Sequence, residues 1–187
     1  KDKGLVNVIR NVDDIDALDQ YLIARHGQTL AGRGIETGRD LAKDAELIRD
    51  LAPKYEEQAK QVTKYAQDLL DYATDSGLIS PELNRKLKEI YPDYVPFNRI
   101  FDELEKSGGY FGGKAVASLS SQNIVQRIQG SARDIESPLA SLLAKTHDAF
   151  LQGERNKAAR LLASYKNLPG NPFNLTELSS GRSAAHT

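Results

Sequence analysis

YLIARHGQT, residues 21–29, is compatible with two different structures, and the fold class of the chain depends on which of them forms. As a strand that ends in a turn, it would place Arg25 and His26 at the end of a parallel strand. As the end of an amphipathic helix, it would belong to a scaffold and carry no chemistry. Upstream, Ile15, Leu18 and Leu22 recur at spacings of three and four, which is the helical period. The spacing therefore favours the helix.

The strand interpretation has a specific functional consequence. The block RHGQT (residues 25–29) resembles the phosphohistidine block of the histidine phosphatase and phosphoglycerate mutase families, which implies that His26 accepts phosphate and Arg25 clamps it. Covalent catalysis of this kind also needs a second His, further Arg residues and a carboxylate acid. Here His147 lies in an apolar helical series and His186 in a polar tail, and the chain contains few candidate strands. A histidine-type phosphatase is thus the remote alternative.

The composition is that of an ordinary globular protein. Apolar residues make up 40% of the 187 residues, enough for a core without a disulfide or metal staple. Cysteine is absent and the three histidines are scattered, so the sequence predicts neither a cofactor nor a metal site. No run of about eighteen apolar residues is present, which predicts no membrane span. The lack of Met leads us to expect a fragment of a longer polypeptide.

Helical spacing dominates the chain and predicts an all-α, multi-helix bundle. Asp13 or Asp14 can cap the first of these helices by accepting backbone N–H bonds. Four glycines within residues 27–39 predict a long connector or a frayed helix end. A second helical region begins near Asp40, and Pro53 either separates two helices there or kinks one long helix.

The clearest apolar stripe predicts a long helix over residues 54–75, and its members are Tyr55, Ala59, Val62, Ala66, Leu69, Leu70 and Ala73. Ser76-Gly77 ends this helix, since glycine takes the left-handed cap. Ser80-Pro81 then predicts a new helix start, with Leu83, Leu87 and Ile90 on its buried face. One more short helix is predicted over residues 98–106.

The last predicted helix covers residues 138–165 and begins with another cap-and-proline pair, Ser137-Pro138. Its apolar series is Leu139, Leu142, Leu143, Thr146, Phe150, Leu161, Leu162 and Tyr165. Gly153 in its middle weakens the helix by about 1 kcal/mol relative to Ala. The composition divides the chain into a single helical domain, residues 1–166, and an irregular linker or tail, residues 167–187.

A long loop rich in Gly and Ser is predicted over residues 107–121. Within it, GGYFGGKA (residues 108–115) fits the phosphate-loop pattern until Ala115 takes the Ser/Thr position that should hold Mg²⁺. A true phosphate loop follows a buried apolar strand, whereas this one follows the charged residues 102–106. A mobile loop is the better interpretation.

Charge gives only a weak indication of a polyanionic partner. The net charge is −1, yet residues 114–166 contain eight basic and four acidic side chains. Arg127, Arg133, Arg155 and Lys157 are therefore the candidate nucleic-acid contacts, because such residues bind phosphates without reading bases. The same residue types also populate any solvated loop and helix. A DNA-contacting helical domain is the alternative function.

Three blocks, in this order, resemble the helical associated regions of large polyvalent proteins from phages and conjugative elements. The blocks are DIDALDQYLIARHGQTLAGRGIETG (14–38), DYATDSGLISPELNRKLKEIYPDYVPFNRIF (71–101) and GSARDIESPLASLLAKTHDAFLQGERNKAARLL (130–162). Some of these very long proteins carry helicase, methyltransferase, peptidase or toxin domains, and some resemble anti-restriction proteins injected with DNA. The resemblance places YLIARH on a helix and supplies no active-site residue.

The resemblance implies a non-catalytic scaffold or interaction module within such a protein. Its expected partners are neighbouring domains of the parent chain, and virion proteins or transferred DNA. Its expected location is the virion, or the cytoplasm of a bacterial host after entry. No catalytic, cofactor or metal residue is predicted.

Overall fold

The computed structural model describes residues 4–93, 97–106 and 137–165, and 81% of these residues are helical with no strand among them. The helices are α1 (Leu5–Ile9), α2 (Ile15–Ala31), α3 (Leu41–Asp75), α4 (Pro81–Ile90), α5 (Phe97–Lys106) and α6 (Pro138–Tyr165). The all-α prediction is confirmed. The predicted loop at 107–121, with its phosphate-loop-like segment, and the tail at 167–187 lie outside the described residues. The single-domain boundary stays a prediction.

Helix α2 contains the whole of the stretch at residues 21–29. Asp14 begins the helix, since its carboxylate accepts the backbone N–H of Ala17 at 2.9 Å. The predicted connector from residue 27 to 39 was wrong at its start, because the helix continues through Gly27 to Ala31. The bends come later, where Gly34 and Gly38 adopt positive φ.

Helix α3 runs from Leu41 to Asp75 and includes Pro53, so of the two alternatives drawn at this proline the single long helix is correct and the pair of separate helices is wrong. Asp40 caps it by accepting the backbone N–H groups of Ala42 and Lys43. The predicted stripe from Tyr55 to Ala73 is confirmed, because all seven of its members are buried. Burial along this face offsets the backbone hydrogen bond that Pro53 cannot make.

The next two helices follow their predicted start and stop signals. Ser80 accepts the backbone N–H of Leu83 at 3.1 Å, with Pro81 as the first helical residue of α4. Helix α5 begins at Phe97, one residue before the predicted boundary. It contributes Phe97, Ile100 and Phe101 to the core.

The core lies between α2 and α3, and the other helices close around it. Leu18 of α2, Leu70 of α3, Leu87 of α4 and Ile100 of α5 are all at most 1% exposed. Helix α6 crosses α3, α5 and α2. Asp19 of α2 accepts the backbone N–H of Leu139 at 3.0 Å, so this carboxylate holds the first turn of α6 against α2.

Two expectations about burial were wrong. Ile15 was placed with Leu18 and Leu22 on one apolar face, but it is 47% exposed. In the apolar series of α6, Leu139 and Leu142 are buried, whereas five other members are exposed: Leu143, Phe150, Leu161, Leu162 and Tyr165. The physical reason is that α6 carries apolar residues on more than one face, and the bundle covers only one of them.

Gly153 lies where α6 crosses Tyr72 of α3. A Cβ at this position would be 2.6 Å from the Tyr72 hydroxyl oxygen and 2.7 Å from Cε1. The Tyr72 ring is itself held by Phe150, with ring centroids 4.4 Å apart, and by a 2.8 Å hydrogen bond to Glu154. Glycine is therefore required here by close packing of two helices.

Gly153→Ala should destabilise the protein by about 1–3 kcal/mol through overpacking, although the same change in an open helix stabilises it. Urea unfolding measures the effect. In a Tyr72→Ala background the ring that a Cβ at position 153 would meet is absent, and Gly153→Ala should then be stabilising. Stabilisation in the wild-type background would contradict this packing.

Candidate functional site

The polar residues of α2 form a row along one side of the helix. Tyr21, Arg25 and Thr29 are spaced by four residues, which places them above one another on the helix surface. This row faces Glu56 of α3 and Asp93, which follows α4. These five side chains are called the Arg25 network below.

Arg25 is the centre of this network because it bridges two carboxylates. Its Nη1 donates to Glu56 Oε2 at 2.9 Å and its Nη2 donates to Asp93 Oδ1 at 3.4 Å. Thr29 donates to the other oxygen of Asp93, Oδ2, at 2.7 Å. The guanidinium that a phosphate clamp would need is thus engaged by two internal carboxylates.

Asp93 is also held through its backbone. The hydroxyl of Thr63 donates to the Asp93 carbonyl oxygen at 3.1 Å, and Gln67 donates to the carbonyl oxygen of Pro92 at 3.4 Å. Side chains of α3 therefore hold the backbone of the segment after α4, and side chains of α2 hold the Asp93 carboxylate of the same segment. The Arg25 network joins three parts of the bundle.

Tyr21 closes the network at its buried end. Its hydroxyl donates to Glu56 Oε2 at 2.5 Å, and the side chain is 1% exposed. Burial, together with the neighbouring Glu56 carboxylate, raises the pKa of Tyr21 to about 12. The hydrogen bond from Tyr21 in turn lowers the pKa of Glu56, with Arg25 and Lys60 acting in the same direction against desolvation. The pair is a protonated phenol donating to an ionised carboxylate.

Tyr21→Phe should make the protein less sensitive to acid. A depressed carboxyl pKa contributes stability above the unfolded-state pKa, here 4.5, and this stability is lost as pH falls through the folded-state value. Removing the Tyr21 hydroxyl brings the folded-state pKa of Glu56 closer to its unfolded-state pKa. The loss of unfolding free energy between about pH 6 and about pH 3, measured by urea titration, should be smaller than in the wild type.

Tyr65→Phe is the matched control for this variant, because the described partner of the Tyr65 hydroxyl is the hydroxyl of Thr146 and not a carboxylate. It should leave the acid sensitivity unchanged. An acid sensitivity of Tyr21→Phe equal to that of the wild type would show that the Tyr21 hydroxyl does not tune Glu56.

His26 lies on the core side of α2 and is 5% exposed. Its ring centroid is 6.1 Å from that of Tyr91 in a tilted arrangement. An acceptor of a phosphoryl group must be open to its substrate. The environment of His26 is that of a packed core histidine.

Gly27 and Gln28 also contact α3 and the turn before it. Arg39 and Asp44 form an ion pair beside Gly27. A Cβ at Gly27 would lie 3.0 Å from Asp44 Oδ2 and 3.1 Å from Arg39 Cδ, so only glycine lets this ion pair lie against α2. Gln28 donates its side-chain N–H to the carbonyl oxygen of Leu41 at 2.7 Å. Every residue from Arg25 to Thr29 therefore packs against or bonds to another part of the domain.

The candidate nucleic-acid residues are only partly placed by the structure. Arg127 and Arg133 lie outside the described residues. Arg155 is exposed on α6. Lys157 donates to Glu154 at 2.8 Å and lies 4.4 Å from the centroid of the Tyr72 ring, so it belongs to the contact between α6 and α3. No two of the four candidates are brought together within the described ranges.

Sequence reasoning missed most of the Arg25 network. Glu56 also pairs with Lys60 at 3.6 Å, one turn along α3, whereas its contacts with Arg25 and Tyr21 cross between two helices. The available signal was the four-residue spacing of Tyr21, Arg25 and Thr29. The role of Asp93 depends on the tertiary fold, because it lies 64 residues from Thr29 and 68 from Arg25.

Two further findings bear on the kind of site present. Over residues 4–93, 97–106 and 137–165, no three His, Asp or Glu side chains come together as a metal-binding set. The same part of the chain contains no helix that is both long and apolar enough to cross a membrane. The chain matches no protein-family model, no curated protein and no solved structure.

Proposed function

We propose that this chain is a non-catalytic scaffold or interaction module of a large polyvalent protein from a phage or conjugative element. It positions neighbouring domains of the parent chain, or contacts virion proteins or transferred DNA. One observation carries this proposal: the residues that look most like an active site, Arg25 to Thr29, all make contacts inside the domain. Residues engaged in this way support the packing of the bundle, which favours a structural role for these five over a chemical one.

The order of the three sequence blocks supports the family part of the proposal. Two of the blocks, 14–38 and 71–101, meet at the Arg25 network, since Arg25 and Thr29 bond Asp93. Two blocks that lie far apart in the sequence are expected to occur together in a family when their residues contact each other in the fold. Packing between these two blocks supports a structural role for them and requires no catalytic one.

Hydrolysis of a phosphate monoester by the full chain tests the non-catalytic part. The expected result is no turnover above the buffer blank for the wild type, with His26→Ala changing only the unfolding free energy. His147→Ala is the matched control, because His147 is exposed on α6. Turnover that disappears in His26→Ala and persists in His147→Ala would overturn the proposal in favour of a phosphohistidine enzyme.

If the module contacts DNA, its basic residues are the groups that would bind the phosphates. Binding of a labelled duplex at low and high salt tests it, since phosphate contacts weaken steeply as salt rises. If DNA is the partner, neutralising Arg127, Arg133, Arg155 and Lys157 together abolishes binding and flattens the salt dependence. No binding at low salt would leave proteins, namely neighbouring domains or virion components, as the partners.

A further inference from the structure

Helix α6 exposes an apolar stripe along its whole length. Positions three or four residues apart share one face of a helix. Eleven such residues of α6 are all exposed, and two of them, Phe150 and Glu154, also contact Tyr72 of α3 at one edge of the set. The eleven are Ala140, Leu143, Ala144, His147, Phe150, Leu151, Glu154, Ala158, Leu161, Leu162 and Tyr165. These residues are called the α6 stripe. Only His147 and Glu154 among them carry an ionisable imidazole or carboxylate.

The α6 stripe is large for a surface in contact with water. Six large apolar side chains of α6 are between 41% and 60% exposed: Leu143, Phe150, Leu151, Leu161, Leu162 and Tyr165. At about half exposure each contributes on the order of 100 Å², which gives about 600 Å² of exposed apolar surface for the six together. A standard interface buries about 800 Å² per partner, and the alanines and rim residues supply the difference. Patches of this size mark interaction sites.

We propose that the α6 stripe is covered by the α6 stripe of a second copy of this chain, in an antiparallel pair about a two-fold axis between Phe150 and Leu151. A two-fold interface uses the same patch on both molecules, so the patch must complement itself. The α6 stripe does. The inference does not depend on the proposed function.

The positions of the two polar residues give this arrangement its specificity. They are seven residues apart, which is two helical turns, and they lie on either side of the proposed axis. His147 of each copy then faces Glu154 of the other. Glu154 Oε1 already accepts from Tyr72 and Lys157 at 2.8 Å, and a carboxylate has room for about four hydrogen bonds. Imidazole N–H donation to Glu154 therefore pairs both polar groups of the α6 stripe.

The apolar residues complement one another in the same register. Phe150 faces Leu151 at the centre, and large side chains face small ones further out. Leu143 lies opposite Ala158, and Ala140 opposite Leu161. Alternation of large and small residues lets two helices approach closely. An unrelated partner would need to supply this complement, whereas a second copy already carries it.

Sedimentation velocity of the full chain over a range of concentrations tests the pairing. The wild type should dimerise, and His147→Glu should raise the dimer dissociation constant at least about tenfold, because it sets two carboxylates opposite each other twice. Leu161→Glu should do the same. Val6→Glu is the matched control, since Val6 is 56% exposed on α1 and is not part of the α6 stripe, and it should leave dimerisation unchanged. Circular dichroism establishes that each variant is folded.

The orientation of the helices is tested by single thiols, because the chain has no cysteine of its own. Leu151→Cys, beside the proposed axis, should form a disulfide-linked dimer under mild oxidation. Leu161→Cys should not, since the two thiols would lie about 30 Å apart along an antiparallel pair. A wild-type chain that sediments only as a monomer, or a dimer unaffected by His147→Glu and Leu161→Glu, overturns the proposal. Linkage through both thiols overturns the antiparallel register.

Discussion

Replacing Arg39 with Met should lower the free energy of unfolding by about 3–5 kcal/mol, because it leaves a buried carboxylate without its counter-charge. The Asp44 side chain is 5% exposed and accepts two hydrogen bonds from Arg39, at 2.8 Å from Nε and 2.5 Å from Nη2. Gly27 of α2 lies directly over this pair. Urea unfolding followed by circular dichroism measures the loss.

Two controls distinguish the cost of leaving a buried carboxylate unpaired from the cost of removing any arginine. Arg49→Met removes an ion pair with Asp50 in which both side chains are more than 60% exposed, and it should cost less than about 1 kcal/mol. The double variant Arg39→Met/Asp44→Leu removes both charges and should recover most of the stability. A single Arg39→Met variant as stable as the wild type would mean that Asp44 is not enclosed as described.

Leu18→Ala should lower the free energy of unfolding by about 2–5 kcal/mol, because it empties a fully buried site where α2 meets the core. Leu18 is 0% exposed. Leu41→Ala is the matched control, with the same atoms removed from a side chain that is 39% exposed on α3. The same urea titration compares them. Equal losses in the two variants would contradict the packing of α2 against α3.

The fold was largely predictable because its decisive signals are local. Capping by Asp14, Asp40 and Ser80 depends on a few neighbouring residues, and each cap forms as its residue type predicts. The stripe from Tyr55 to Ala73 is long enough for its period to be unambiguous. Pro53 was the harder case. Its effect depends on how much burial the rest of the helix gains, which no local pattern reveals.

The interior contacts of the candidate site were not predictable in the same way. Asp93 meets Arg25 and Thr29 only because α4 returns the chain to α2, and Asp19 meets Leu139 across 120 residues. Which apolar face of α6 is covered is also a tertiary question. Leu139 and Leu143 are equally apolar, yet the bundle buries one and exposes the other.

The interpretation of residues 21–29 as scaffold explains why they resemble a catalytic block. Arginine, histidine, glycine and threonine bind phosphate well because they donate hydrogen bonds or let the backbone approach closely. The same properties suit a crowded helix interface. Here Arg25 and Thr29 donate to carboxylates, and Gly27 admits an ion pair against the helix.

Amide hydrogen exchange at Gly27, Gln28 and Thr29 distinguishes a helix from a strand and turn at RHGQT, because the two structures give these N–H groups different partners. In a continuous α2 they donate to carbonyls one turn earlier and exchange slowly, at rates close to those of Leu22 and Ile23. In a strand that ends in a phosphate-binding turn they would face solvent. Slow exchange is the result we predict, and fast exchange at all three amides beside protected Leu22 and Ile23 would contradict the account.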